Sequence, residues 1–255
     1  MNVFLISRIL EEGLAATQAL EVCHAEETIC IASLSGNVVL AARQPRDADK
    51  ISSALALVAA RITSKSIPVR AIVSEAELVD PLWQHLERKL EPPTVVRLDQ
   101  PVYALDSECG LSSELNRVRY ATASDLETLV PACAAMHTEE VGINPLDRDA
   151  FSYRERIRDL VSDGRSLLVM EGTRIAFKCE FSAVTPEAIQ LMGVWTAPPF
   201  RRQGYARRAL QEICGHILSQ GRQVTLFVNH FNQPAIRLYE SMGFRKIGRN
   251  RALIW

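Results

Sequence analysis

Hydrophobic and polar positions follow helical and strand spacings along most of the chain. In the first half, helical spacing predicts one helix from about Asp49 and another over 81–90, with Pro81 in its first turn. Runs rich in β-branched residues predict strands over 28–32, 38–42, 69–73 and 94–98. The apolar face of the first helix is formed by Ile51, Leu55, Val58, Ala59 and Ile62. This half therefore has the alternating elements of an α/β domain.

The second half has a more regular pattern. A capping-box sequence over 124–127 predicts a helix start, and Leu126, Leu129, Val130 and Cys133 then follow at helical spacing. The most regular series of apolar positions, i, i+3, i+4, i+7, i+8 and i+11 from Ala206, predicts a second amphipathic helix. The other predicted elements are strands over 117–121, 166–170, 174–184, 189–196, 224–228 and 244–254 and helices within 149–161 and over 234–242.

A short run rich in serine, glycine and acidic residues, 106–114, separates the two periodic regions. The chain length of 255 residues is also enough for two modest domains. We therefore predict an α/β (α+β) protein with domains over 1–112 and 113–255.

Charge is unevenly distributed along the chain. Residues 1–115 carry 10 basic and 16 acidic side chains, whereas 116–255 carry 19 basic and 14 acidic ones. The basic second half indicates an anionic ligand there. Because its basic residues are not interleaved with aromatic ones, nucleic acid is not the expected partner.

The remaining compositional features indicate an ordinary folded protein of the cytoplasm. The six cysteines lie far apart without a C-x-x-C pair, which disfavours a zinc ribbon or a disulfide framework and favours reduced thiols. The scattered histidines and cysteines suggest no metal site. The sequence has no run of about 18 apolar residues, which a membrane span needs. We also expect no secretory signal, because 1–18 have no basic segment before a long apolar stretch.

The segment 194–206 runs from a predicted strand through a loop into the strongest predicted helix. Helix N-termini bind phosphate, because their first main-chain N–H groups have no partner in the helix and the helix dipole is positive there. Gly204 and Ala206 would let a diphosphate approach the main chain closely. The nearby basic residues are Arg201, Arg202, Arg207 and Arg208. The segment is either a diphosphate-binding loop or a turn with a solvated arginine face.

Two motifs in the second half resemble the coenzyme A-binding core of the GNAT acyltransferase superfamily. The first is R-x-x-G-x-A at Arg201, Gly204 and Ala206, and the second is N-x-x-A-x-x-L-Y-x-x-x-G-F from Asn232 to Phe244. The resemblance covers 117–255, and no P-loop or dinucleotide motif competes with it. It implies a mixed, mostly antiparallel sheet flanked by helices, with acetyl-CoA as cosubstrate and no metal. The coenzyme-binding residues it implies are Val194, Trp195, Thr196, Arg201, Arg202, Gln203, Gly204, Tyr205, Ala206, Asn232, Ala235, Arg237 and Tyr239.

The first half resembles the leading domain of two-domain bacterial GNAT proteins, in which a degenerate GNAT-like unit precedes the catalytic one. Its corresponding loop, ARQPRDAD, lacks the R-x-x-G-x-A motif. We therefore expect this half to bind no coenzyme A and to complete the substrate cleft, gate access or set oligomerisation.

The family resemblance implies direct transfer of the acyl group from the thioester to a primary amine. The N–H groups at the end of the strand over 193–196 would contact the thioester carbonyl and the pantetheine arm. Tyr239 would protonate the leaving thiolate, although its place in an apolar helical stripe also suits simple packing. Asn232 is either a helix N-cap or a coenzyme contact.

The general base and the acceptor are not identified by the sequence. Candidate bases are Glu139, Glu140, Glu180 and His137, and a water chain is an alternative. The acceptor could be a polyamine, an aminoglycoside, an amino acid, a peptide N-terminus or a protein lysine, and the protein could be a monomer or a homodimer. The alternative functions are a non-catalytic acyl-CoA sensor and a paralogue that binds nothing.

Overall fold

The structure is a computed structural model that describes residues 5–7, 9–11, 18–44, 47–107, 111 and 113–255. Its strands are β1 (Ala19–His24), β2 (Glu27–Ser35), β3 (Asn37–Ala42), β4 (Ala71–Glu75), β5 (Val95–Leu105), β6 (Arg119–Tyr120), β7 (Ser166–Glu171), β8 (Arg174–Val184), β9 (Ala188–Thr196), β10 (Gln223–Phe227) and β11 (Arg245–Ile254). The main helices are α1 (Ala48–Ser64), α2 (Ala76–Leu86), α3 (Leu126–Val141), α4 (Pro145–Ser162), α5 (Tyr205–Ser219) and α6 (Gln233–Ser241). The described chain is thus mixed α/β, as the sequence predicts.

The contacts divide the chain into two compact units. The first comprises Met1–Tyr103, Phe227–Tyr239 and Arg245–Trp255, and the second comprises Ala104–Leu226 and Glu240–Phe244. The units are therefore interleaved along the chain, whereas the sequence analysis divides the chain once, after residue 112. The predicted boundary run 106–114 includes 108–110 and 112, which lie outside the described residues.

The first unit has the strand order β1-β2-β3-β4-β11-β5. The β1–β2, β2–β3 and β4–β11 pairs are antiparallel, and β3–β4 is parallel. Because β11 pairs with β4, from Asn250 opposite Glu75 to Ile254 opposite Ala71, the C-terminal strand belongs to the sheet of the first unit. Strand β1 has no counterpart among the predicted elements.

Helix α1 confirms the prediction of a helix from about Asp49. Asp47 is its N-cap and accepts hydrogen bonds from the main-chain N–H groups of Asp49 and Lys50, both at 3.1 Å. The predicted apolar face is buried in the core of the first unit, beside β2, β3 and β4.

Helix α2 differs from the predicted helix over 81–90. It begins at Ala76, directly after β4, so that Pro81 lies inside the helix and not in its first turn. Leu90 lies beyond its C-terminus. The physical reason is that the apolar stripe extends toward the N-terminus, where Leu78 and Val79 are fully buried. Burial of this stripe outweighs the proline, which removes one helical hydrogen bond.

The second unit has the strand order β10-β9-β8-β7-β6. Strands β6 to β9 pair in antiparallel fashion, whereas β10 runs parallel to β9. The strands follow the predicted runs, with β6 reduced to Arg119 and Tyr120. Helix α4 is interrupted at Asp149, whose φ of −154° and ψ of 80° are not helical.

The start of α3 lies close to the predicted position, but its capping residues are different. The capping box is formed by Thr122 and Asp125, with a 3₁₀ turn over Ala123–Asp125 before the α-helix. Asp125 Oδ2 accepts the main-chain N–H of Thr122 at 2.8 Å, and both Asp125 oxygens accept hydrogen bonds from Arg119. The predicted capping box over 124–127 is therefore wrong. Only Asp125 of that segment belongs to the capping box, and its first residue is Thr122.

Candidate active site

Strand β9 contains a bulge near its C-terminal end. Lys178 of β8 opposes Trp195, and Glu180 opposes Met192, so two residues of β9, Gly193 and Val194, lie opposite one residue of β8. Gly193 has φ +60°, the conformation of the glycine in a G1 bulge. The bulge changes the direction of the main chain just before the loop.

The edge of β9 that pairs with β10 also loses this pairing just before the bulge. Its parallel pairing with β10 runs from Ala188 to Leu191 and stops there. The last five residues of β9, 192–196, therefore extend past the paired region. On that edge, residues 192–196 form no ladder with β10.

After β9 the chain forms a 3₁₀ turn over Pro198–Phe200 and then the first turn of α5. Arg202 and Gly204 have φ of +59° and +81°, and Gly204 is the N-cap of α5. Since glycine has no side chain, it cannot accept the N–H groups of the first turn as serine or aspartate would. Gln203 Nε2 donates to Pro199 O at 2.8 Å, which closes the loop.

The guanidinium of Arg208 lies against this helix start. Its Nη2 donates to Gln203 O at 2.9 Å, and its Nη1 lies 2.5 Å from where a Cβ on Gly204 would be. A cation at the positive end of a helix is electrostatically unfavourable on its own. The arrangement therefore suits an anion between the guanidinium and the main-chain amides.

The other loop residues are fixed by neighbours in the same unit. The rings of Phe200 and Tyr205 pack edge-to-face at 5.5 Å, and Arg174 lies 5.0 Å from the centroid of Phe200. A hydrogen bond with Glu171 raises the pKa of Tyr205. Arg207 Nη2 donates to Ser241 Oγ at 2.6 Å. Four predicted coenzyme residues of the loop, Arg201, Arg202, Gln203 and Gly204, are exposed, and Tyr205 and Ala206 are partly exposed.

Glu139, at the C-terminal end of α3, joins that helix to the end of β9. Its Oε2 accepts Arg201 Nη2 at 2.6 Å, and its Oε1 accepts Trp195 Nε1 at 3.3 Å. Arg201 Nε also donates to Thr196 O at 2.9 Å. The Glu139 carboxylate is partly exposed, and a ligand can therefore reach it beside Arg201 and Trp195.

Glu180 has entirely different surroundings. Its side chain and that of Lys178 are buried, and Lys178 Nζ donates to Glu180 Oε1 at 2.6 Å. Burial lowers the pKa of Lys178, but the charge of Glu180 and the hydrogen bond to it outweigh burial, so the pKa is raised overall. Burial raises the pKa of Cys133 to about 12. The ammonium and the neutral thiol both contact the same carboxylate, since Cys133 Sγ lies 3.5 Å from Glu180 Oε1.

The residues of the second motif lie in α6 and on either side of it, mostly in the first unit. Asn232 Oδ1 accepts the main-chain N–H of Ala235 at 3.3 Å, so Asn232 makes the N-cap contact that its sequence position permits. Tyr239 is buried, Ala235 is partly buried, and Arg237 is exposed. Their assignment to the coenzyme site stays a prediction from the motif.

The other candidate bases are at the exposed end of α3. His137 packs edge-on against Tyr153 with a centroid distance of 6.2 Å, and Glu140 is exposed. The structure thus brings the β9–loop–α5 residues, Glu139 and Glu180 into one unit. Sequence reasoning missed Lys178, although a Lys and a Glu two residues apart on one face of an otherwise apolar strand are a recognisable signal.

Within the described residues, no cluster of three or more histidine, cysteine, aspartate or glutamate side chains could hold a metal ion. The helices described also include none long and apolar enough to cross a membrane.

Two family models match the sequence. Residues 182–254, which include β9, the loop and α5, match the FR47-like protein family, and residues 20–129 match a domain of unknown function (DUF4081). A search of curated proteins gives no match.

Solved structures with the same fold include three acetyltransferases. A GNAT-family acetyltransferase from Colwellia psychrerythraea superposes with a TM-score of 0.59 at 14% identity, over 99% of this chain and 93% of that one. A GCN5-related N-acetyltransferase from Kribbella flavida has a TM-score of 0.57 at 14% identity, over 99% and 95%. One from Sphaerobacter thermophilus has a TM-score of 0.57 at 17% identity, over 92% and 79%.

The chain therefore has the fold of these solved structures. The FR47-like match covers both sequence motifs, at 201–206 and 232–244.

Proposed function

We propose that this protein transfers an acetyl group from acetyl-CoA to a primary amine. The observation that carries the proposal is the start of α5, where Arg208 lies against a glycine N-cap in the loop after β9, and the end of β9 is not paired with β10. The helix start would bind the diphosphate of the coenzyme, and the exposed edge of β9 would bind the pantetheine arm.

In the proposed reaction the neutral amine attacks the thioester carbonyl carbon, a C–N bond forms and the C–S bond breaks. Main-chain N–H groups at the end of β9, around Val194, would stabilise the negative charge that develops on the carbonyl oxygen. The proton lost by the amine passes to a base, and the thiolate takes a proton from an acid. The products are an N-acetylated amine and the free thiol of coenzyme A.

We assign the base to Glu139 rather than Glu180. Glu139 is partly exposed beside the end of β9, so an amine or a bridging water can reach it. Its ion pair with Arg201 is exposed on both sides, and such pairs contribute little free energy. Glu180, in contrast, is buried against Lys178 and cannot meet a substrate without disrupting the core.

Tyr239 is the proposed acid, on the strength of its place in the second motif. We expect Tyr239→Phe to lower kcat about 100-fold while changing the Kd for acetyl-CoA by less than about threefold, because a general acid acts mainly in the transition state. The measurement is release of coenzyme A thiol with a panel of amines, alongside calorimetric binding of acetyl-CoA. Equal losses of kcat and affinity would assign Tyr239 to packing.

The second candidate function is a non-catalytic acyl-CoA sensor. The observation in its favour is that Tyr239, the assigned acid, is buried within an apolar helical stripe. The same panel separates the two functions: a sensor binds acetyl-CoA but releases no thiol with any amine.

A further inference from the structure

The buried pair of Lys178 and Glu180 lies directly beneath the bulge of β9. The two side chains are on the same face of β8 because they are two residues apart. Besides its bond to Glu180, Lys178 Nζ donates to the main-chain oxygen of Gly193 at 3.0 Å and contacts Met136 Sδ at 3.4 Å. The Lys178 ammonium thus binds the main-chain carbonyl of Gly193, the first residue of the bulge.

Glu180 fills the space that a side chain at position 193 would need. A Cβ built on Gly193 would be 1.6 Å from Glu180 Oε2, 2.8 Å from its Cδ and 3.1 Å from Lys178 Nζ. Only glycine fits there, and its φ of +60° also favours glycine. The buried Lys178–Glu180 pair and Gly193 therefore fix each other's positions.

Stability alone does not explain why the two charges are buried. Removing a lysine and a carboxylate from water is costly, and a well-packed apolar pair is often at least as stable. Here both charged side chains contact one residue of the main chain. Lys178 donates to the carbonyl of Gly193, and Glu180 occupies the space beside its Cα. Gly193 sets the direction of the last residues of β9, 194–196.

We propose that Lys178 and Glu180 are positioning residues that fix the Gly193–Val194 bulge, so that the following main-chain N–H groups face the thioester. The part of this inference that concerns the thioester rests on the proposed function. The geometry of the bulge is a property of the unliganded protein and can be tested without any ligand.

The test is the double variant Lys178→Met/Glu180→Gln in the full-length protein. Removing both charges together avoids leaving one of them buried and unpaired. The matched control is Arg158→Met/Glu155→Gln, which removes an exposed ion pair of α4 in the same unit. Gly193→Ala is a second variant that keeps both charges and disturbs the bulge only through its Cβ.

Hydrogen–deuterium exchange without ligand is the first readout. We expect peptides covering 192–197 to exchange about tenfold faster in the double variant and in Gly193→Ala, with the rest of the second unit unchanged. The control should exchange as the wild type does. Wild-type exchange of 192–197 in the double variant, or acceleration spread evenly over the unit, would overturn the proposal.

Kinetics with acetyl-CoA are the second readout. We expect kcat of the double variant to fall at least about tenfold, while KM for acetyl-CoA changes by less than about threefold, because donors to the carbonyl act mainly in the transition state. A local change in exchange in the variants, together with no transferase activity in the wild type, would support the positioning role and contradict the proposed function. Unchanged exchange with unchanged kcat would contradict the positioning role alone.

Discussion

At the scale of single residues, two of the acidic side chains proposed from the sequence as bases have opposite surroundings. Glu139 is partly exposed and is hydrogen-bonded to Arg201 and Trp195. Glu180 is buried with Lys178 and Cys133. This difference in solvent access is why we propose proton transfer for Glu139 and main-chain positioning for Glu180.

Replacing Glu139 by glutamine tests its assignment as the base. We expect Glu139→Gln to lower kcat about 100-fold, since an amide cannot accept the proton of the amine. The adjacent exposed residue gives the control, Glu140→Gln, which should retain wild-type kcat. The measurement is thiol release under saturating acetyl-CoA. A variant with wild-type kcat and altered acetyl-CoA affinity would limit Glu139 to its contact with Arg201.

The sequence predicts the loop residues better than their partners. Arg201 and Gly204 stand in a local motif, and the structure places them in the loop and at the start of α5. The contacts of Glu139 with Arg201 and of Lys178 with Gly193 join residues that are 62 and 15 positions apart. Local spacing carries no information on such contacts, because they depend on how α3, β8 and β9 pack.

At the scale of elements, the start of α3 shows how a helix end can be stabilised by one carboxylate. Asp125 accepts hydrogen bonds from Arg119, the Thr122 N–H and the Thr122 hydroxyl. The side-chain hydrogen bond from Arg119, followed by those from Thr122, holds the pKa of Asp125 well below its usual range against the opposing effect of burial. The carboxylate is therefore charged in the folded state at every ordinary pH.

This cap predicts a pH-dependent loss of stability in Asp125→Ala. A lowered folded-state pKa stabilises the fold above the unfolded value of about 4, and that contribution is lost as the pH falls through the folded-state value. We expect the variant to be about 1–2 kcal/mol less stable at pH 7, as for other lost N-caps. The difference from the wild type should be constant down to about pH 5 and shrink below about pH 4.

Urea unfolding at a series of pH values measures this difference. The control is Asp163→Ala. Asp163 is exposed, and its Oδ2 lies 3.9 Å from Arg165 Nε, which is too far for a hydrogen bond. It should change the free energy of unfolding by less than about 0.5 kcal/mol at each pH. A difference for Asp125→Ala that grows as the pH falls would contradict the assignment.

Elements with one clean amphipathic face are those that the sequence predicts best. The predicted apolar series of α5 is buried at Ala209, Leu210, Ile213, Cys214 and Ile217. The start of α2 is mispredicted because Pro81 is a strong local signal for a first turn, whereas burial of Leu78 and Val79 acts through tertiary packing.

At the scale of the whole molecule, the order of elements along the chain does not match their grouping in space. Strand β11 pairs with β4, which precedes it by about 180 positions, and belongs to the first unit. A boundary read from composition cannot reveal such a pairing, because both strands have ordinary strand patterns. The fold class follows from the sequence, but the interleaving of the two units does not.

The excess of basic residues in the second half is consistent with an anionic ligand at the α5 start. Arg201, Arg202, Arg207 and Arg208 all belong to this half, and Arg208 donates to the main-chain oxygen of Gln203 at the start of α5. Electrostatic attraction of this kind weakens as salt screens it. The central claim is therefore that a diphosphate binds where Gly204 begins α5.

Thermal unfolding with and without acetyl-CoA tests this claim most directly, in the wild type, Gly204→Glu and Gly164→Glu. Gly164 is the control because it also has a positive φ, +64°, but open space around it. At 100 times Kd a bound ligand stabilises the fold by about 2.7 kcal/mol, which raises Tm by several degrees. We expect that rise in the wild type and in Gly164→Glu but none in Gly204→Glu, whose carboxylate repels the diphosphate. An equal rise in all three proteins, or no rise in the wild type, would contradict the claim.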